Sequence, residues 1–320
     1  MLKSIAIVTL VVRSLAGVEP AWQQGLAYTT AVRGEVSAEL ARAWDAPAMA
    51  GQPYLLMRPA SGSSTLVRFI EAPAAAAVPA PYMTYGWNAT ELLVRDPDAL
   101  SQTLPAAGFR ITGPPANLGA GETAPRAMQV VGPGSELLYL TRILPGGSGY
   151  DLDAAQSPVD RVFIMVVGGA SIDALRGFYQ DVLGLPVGET MQWRISGLSR
   201  AHGLPMDTRF PLAIASLRRN YLVELDGYPD SARPRPRARG ALPGGLAMVS
   251  FAGDSLGAIK ARWRHRPVAV WDYPYDGRRL AVTIGPAGEW IEVIEALPTP
   301  ARAAGLLPSP QQHRPDGNPS

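Results

Sequence analysis

The segment Val159–Glu189 allows few folds. Val162-Phe163-Ile164-Met165-Val166-Val167 is an unbroken apolar run rich in β-branched residues, the pattern of a strand buried on both faces. Gly168 and Gly169 end it. Ser171 then offers an N-cap to a helix that places Ile172, Leu175, Phe178, Tyr179 and Val182 on one face. Gly184 supplies a C′ stop, and Leu185-Pro186-Val187 resumes an extended course. The unit is strand, helix, sharp stop, strand.

The rest of the chain repeats it. A first module spans Ser4–Ala72: strand Ile5–Val12, a helix from Glu19-Pro20, a second helix over Glu35–Trp44, and strands Pro53–Met57 and Leu66–Glu71. Ile5–Val12 reads as a buried strand rather than a signal sequence, because Arg13 interrupts it and no small-residue cleavage site follows. A low-complexity linker, EAPAAAAVPAP, leads to a second module. This has a strand from Trp87 to Val94, a helix begun by Asp96 and stopped by Gly108, and a hairpin of Ala127–Val131 with Glu136–Ile143. Pro145–Gly149 is a further linker. The third module continues through Met191–Ile195, a polar loop Ser199–Phe210, Leu212–Leu217 and Tyr221–Leu225. The fourth has Leu246–Phe251, a helix capped by Asp254 through Leu256, Ile259 and Trp263, and a hairpin of Leu280–Ile284 with Trp290–Ile294. Gly132-Pro133-Gly134-Ser135-Glu136 and Gly285-Pro286-Ala287-Gly288-Glu289 stand at the same place before a closing strand. The closing strands VRFIEA, LYLTRI, VELDGY and EVIEAL align with one another.

FYQDVLGLPVGE (residues 178–189), in this fourfold frame, resembles the helix-to-strand signature of the vicinal oxygen chelate superfamily, which includes glyoxalase I, bleomycin-resistance proteins and extradiol dioxygenases. The resemblance implies an α+β fold of four βαβββ modules paired into two half-open mixed β-barrel domains. We expect these at residues 1–145 (modules one and two) and 150–297 (modules three and four), with 298–320 as a disordered tail. It also implies metal ligands, a His or Gln on each first strand and a Glu on each closing strand. The matching first-strand positions are Ala6 or Ile7, Ala89, Arg161 and Met248; the closing-strand positions are Arg68, Tyr139, Val223 and Glu292. Only Glu292 fits. The ligand count therefore disfavours a divalent metal, and no cofactor is expected.

A concave pocket with a few polar groups remains. Glu292, and Glu91 with the inward parity of Ala89, are the candidate acid or base, since a desolvated carboxylate titrates in a range useful for proton transfer. Trp87, Asn88, Tyr139, Trp193 and Arg194 are candidates to stack and hydrogen-bond a planar ligand, and His202 to serve in a lid. The expected activity is isomerase- or lyase-type proton transfer on a small carbonyl or aromatic compound. The alternatives are sequestration of an aromatic ligand, as in bleomycin-resistance proteins, and a metal-dependent lyase or dioxygenase with unusual ligands.

Composition narrows the partners. There are no cysteines, which excludes disulfides, thiolate nucleophiles and Cys-based metal sites, and only three histidines, His202, His265 and His313. Net charge is +2, so neither nucleic acid nor an anionic membrane is the expected partner. The arginine-rich stretch 231–240 reads as a solvated connector. We expect a cytoplasmic monomer or homodimer that binds a small molecule.

Overall fold

The computed structural model describes residues 1–72 and 77–296. The expected tail at 298–320, and part of the linker after Glu71, lie outside them. Each module contributes four strands. Module one has β1 (Leu2–Val12), β2 (Thr29–Glu35), β3 (Pro53–Arg58) and β4 (Leu66–Glu71). Module two has β5 (Gly86–Val94), β6 (Arg110–Asn117), β7 (Arg126–Val131) and β8 (Leu137–Arg142). Module three has β9 (Val159–Gly169), β10 (Met191–Arg194), β11 (Arg209–Ser216) and β12 (Leu222–Gly227). Module four has β13 (Gly245–Gly253), β14 (Val268–Ala269), β15 (Arg279–Ile284) and β16 (Trp290–Glu295).

The α-helices are α1 (Val18–Leu26), α2 (Ala38–Ala43), α3 (Pro97–Thr103), α4 (Ile172–Gly177) and α5 (Ser196–Ala201). Ser171 caps α4 by accepting from the Ala174 amide, and Gly184 has φ +71°, the left-handed stop that a β-carbon would oppose. In module four the expected helix is absent. Ser255, not Asp254, caps a single turn at Leu256–Ala258, while Asp254 ion-pairs with Lys3. The Ser199–Phe210 loop begins inside α5. No helix among the described residues is long and apolar enough to cross a membrane.

Two mixed eight-stranded sheets result, and their pairing corrects the expected division. β1 pairs antiparallel with β13, joining module one to module four; β5 pairs antiparallel with β9, joining two to three. The division into 1–145 and 150–297 therefore does not separate the sheets, and Pro145–Gly149 connects two modules of one sheet. Each first strand is largely buried on both faces and can pair along either edge, so repeat patterning alone leaves the partner open.

The sheets share one core. From β1, Leu2, Ile5, Val8, Leu10 and Val12 enter it; from β9 and β12, Val162, Met165, Val167, Val223 and Leu225 do. The alternate residues face the concave side of each sheet, so the two concavities open on opposite sides of the core. The stretch 231–240 is not a solvated connector throughout. Arg235 is largely buried, donates to the Trp87 and Leu246 carbonyls at 2.5 Å, and burial pushes it down to about 10.

The two glycine-rich turns fold over their own glutamates. Trp22 Nε1 of α1 donates to Glu136 at 2.8 Å, and the Ala287 amide donates to Glu289 at 2.8 Å. Burial raises Glu136 to about 7 and Glu289 to about 8. Folded Glu289 thus keeps its proton to about pH 8, whereas the unfolded chain releases it near 4.5. Its contribution is intact below the lower value and is lost as pH rises through the window, by at most about 1.4 kcal/mol per pH unit. Glu289→Gln should accordingly gain thermal stability over the parent between about pH 5 and pH 8. A melting-temperature difference that stays flat with pH would exclude this account.

Candidate active site in the second sheet

In each module the first and closing strands run parallel as neighbours, and one inward residue from each stands side by side. These pairs are Thr9 with Arg68, Glu91 with Tyr139, Val166 with Glu224, and Ser250 with Glu292. Two pairs meet on each sheet.

On the first sheet the concavity is filled. Thr9, Arg68, Ser250 and Glu292 are all fully buried. The Arg68 guanidinium lies 5.1 Å from the Trp44 ring centroid and 5.5 Å from that of Tyr275. Its Nη1 donates to the Tyr275 hydroxyl at 3.1 Å, that hydroxyl lies 3.1 Å from both Glu292 oxygens, and Trp44 Nε1 donates to Glu292 at 2.7 Å. Burial raises the Glu292 carboxyl while the Arg68 charge opposes the shift. The network occupies the space a ligand would need.

On the second sheet the concavity is open, with a cavity of about 360 Å³. Its polar walls include Glu91, Gln129, Tyr139, Glu224 and Arg200, and its apolar rim includes Met206 and Trp193 (43% exposed). Apolar clusters close both ends: Leu137, Phe210, Leu212 and Tyr228 at one, Leu93, Ile143, Phe163 and Leu222 at the other. The Tyr139 hydroxyl is 2.8 Å from that of Tyr82.

Three carboxyl groups gather here. Burial brings Glu91 to about 7. Burial, then the charges of Asp226 and Glu91, raise Glu224 well above the carboxylate range. Asp226 follows Glu224 by two residues on the same face of β12. It is 1% exposed, neither of its oxygens meets a donor, and burial raises it to about 8. A buried carboxylate without donors is strongly disfavoured, so Asp226 is held in its protonated form at neutral pH.

Of the residues singled out from the sequence, Glu91, Tyr139, Trp193 and Arg194 line this one cavity. Glu292 lies on the other sheet. Trp87 is in the inter-sheet core, its Nε1 donating to the Trp290 carbonyl at 2.8 Å. Asn88 Nδ2 donates to the Thr84 and Gly86 carbonyls. His202 sits between the Tyr82 carbonyl (3.0 Å) and the Ser231 hydroxyl (2.7 Å), pinning a turn outside the cavity wall. Alignment of the closing strands points to Val223, which faces the inter-sheet core, rather than to Glu224 one residue on. In the unbroken parallel register of β9 with β12, Val166 rather than Arg161 stands opposite the closing residue Glu224. Arg161 instead lies at the far end of β9, 3.4 Å from Asp160. The detectable signal was Glu224 and Asp226 at a two-residue spacing in an otherwise apolar strand.

The four convergent positions of the second sheet offer two carboxylates, a phenol and a valine. No group of three or more His, Cys, Asp or Glu residues able to hold a metal occurs among the described residues. This donor set does not fit the four-ligand site of the superfamily.

The paired βαβββ modules, with parallel first and closing strands framing a concave site, give this chain the vicinal oxygen chelate fold. Over most of its length it superposes on glyoxalase I from Zea mays, with a TM-score of 0.58 and 10% sequence identity, covering 91% of this chain and 92% of that one. A putative dioxygenase from Bacillus subtilis subsp. subtilis str. 168 superposes with a TM-score of 0.56 and 12% identity, covering 93% and 86%. No protein-family model matches the chain, and no curated protein matches it in sequence.

Proposed function

We propose that this protein is an enzyme of proton transfer, of isomerase or lyase type, acting on a small carbonyl or aromatic compound in the second-sheet cavity. One observation carries the reading: Glu91 and Glu224 face a single cavity from different modules, and burial holds both carboxyls near neutrality or above. Two coupled carboxyls of this kind do not ionise together easily. One serves as base toward a proton beside the carbonyl while the other keeps a proton to deliver. We assign the base to Glu91, the lower of the two, and the acid to Glu224, which burial and the neighbouring Asp226 and Glu91 keep protonated. The Tyr139 hydroxyl, held by Tyr82, donates to the substrate oxygen. Because the convergent positions offer no imidazole and only two carboxylates, the reading invokes no metal. Sequestration of an aromatic ligand would call for an apolar groove, whereas these walls are mixed.

The test is enzyme-dependent hydrogen–deuterium exchange. Small ketones, aldehydes and 2-oxo acids are incubated with the protein in D₂O, and loss of their carbon-bound α-proton signals is followed by NMR. Exchange that survives excess chelator and disappears in Glu91→Gln is the expected result. Exchange abolished by chelator and restored by a divalent ion would overturn the metal-free assignment. Binding of compounds with no exchange anywhere in the panel would leave sequestration as the function.

A further inference from the structure

The cavity continues sideways. A second cleft, of about 390 Å³, opens between β6 and α5, with Arg110, Thr112, Val131, Gly197 and Arg200 among its walls. Thr112 and Arg200 line both spaces, which makes the two contiguous. Arg200 Nη1 donates to the Thr112 carbonyl at 2.8 Å. That bond stations the guanidinium at the junction and leaves its other N–H groups available. Arg110 pairs in register with Val131, another wall of the same cleft. Among the described residues neither arginine is ion-paired with a carboxylate, and no acidic residue lines the cleft. The main cavity, by contrast, carries Glu91 and Glu224, with the exposed Arg194 beside the shared Arg200 as its cations. The combined space is therefore polarised, with carboxyls at one end and two free guanidinium groups at the other.

We propose that this cleft is an anion subsite, in which Arg110 and Arg200 hold a carboxylate or phosphate carried by a substrate whose uncharged head lies in the main cavity. The polarity fixes the direction of binding. An anionic group turned toward the floor would meet Glu91 and Glu224, while one in the cleft meets planar, bidentate donors. The assignment of the head rests on the proton-transfer reading; that of the subsite rests on the arginines alone.

The test uses three probes of similar size: phenylpyruvate, phenyl phosphate and the neutral phenylacetone. Dissociation constants are measured by calorimetry or NMR titration on the full chain. At least one anion should bind about tenfold or more tightly than phenylacetone, with the advantage shrinking as salt rises. The double variant Arg110→Met/Arg200→Met should bind all three alike, and Arg200→Lys should retain part of the preference. Preference for phenylpyruvate alone identifies a carboxylate site, and preference for phenyl phosphate alone a phosphate site. Equal affinity for the neutral probe, or anion affinity that persists in the double variant, overturns the proposal. Proton exchange is read separately. Its failure alongside arginine-dependent binding removes the proton-transfer reading and leaves the subsite standing.

Discussion

Glu224→Gln should reduce turnover by about 10²–10⁴-fold, the range for loss of a positioned general acid or base, while ligand binding persists. Glu91→Gln should do the same. The substitutions are nearly isosteric, so a fall in rate reports lost proton transfer rather than lost packing. The parent should show a bell-shaped pH dependence. Its acid limb follows the ionisation of Glu91 near 7, and its alkaline limb follows loss of the Glu224 proton, which burial and the neighbouring Asp226 retain to higher pH. Asp226→Asn should move the alkaline limb to lower pH, because the neighbouring negative charge that helps Glu224 keep its proton is gone. Turnover that survives Glu224→Gln but vanishes in Glu292→Gln would transfer the active site to the first sheet.

Arg68→Met should destabilise the fold by about 3–5 kcal/mol, the typical penalty for breaking a buried charge partnership. Arg68 is the only formal positive charge in a network closed by Trp44, Tyr275 and Glu292. Without it Glu292 must stay protonated to remain buried, so the loss should deepen as pH rises above the ordinary carboxylate value of 4.5. Denaturant titration at pH 5 and pH 8 measures both effects. Arg68→Met/Glu292→Leu should recover much of the stability, since an apolar set of similar volume leaves no orphaned charge. Activity per folded molecule should remain. A variant that stays stable yet loses activity would show that the first sheet takes part in the reaction.

The fold was legible because module identity is written in local chemistry. Ser171, Gly184 and the apolar run from Val162 to Val167 each specify their own segment, and four copies of the pattern reinforce one another. Sheet pairing was not legible, since strands buried on both faces offer equivalent edges to module two or module four. The site was half legible. Glu91 follows from strand parity, which survives small errors in boundaries, and Tyr139 from its matching place on the closing strand. Glu224 does not, because a slip of one residue in aligning the closing strands carries the chosen side chain from cavity to core. Glu292 satisfied the pattern and still lies elsewhere. What fills its concavity, Trp44 from beyond α2 and Tyr275 from the turn after β14, comes from segments that no repeat predicts.

The joining of module one to module four has a consequence for the order in which the molecule can be made. β1 leaves the ribosome first, yet its antiparallel partner β13 begins only at Gly245. Through most of synthesis the β1 edge and its apolar faces must wait, a situation that favours off-pathway association. Modules two and three, which carry the open cavity, are adjacent in the chain and can pair as soon as β9 and β12 emerge. Nascent chains should therefore complete the half with the open cavity before the half whose concavity is filled, and the sealed sheet acts as the final closure of the fold. Chains stopped after Gly227 would be released with the first sheet half built.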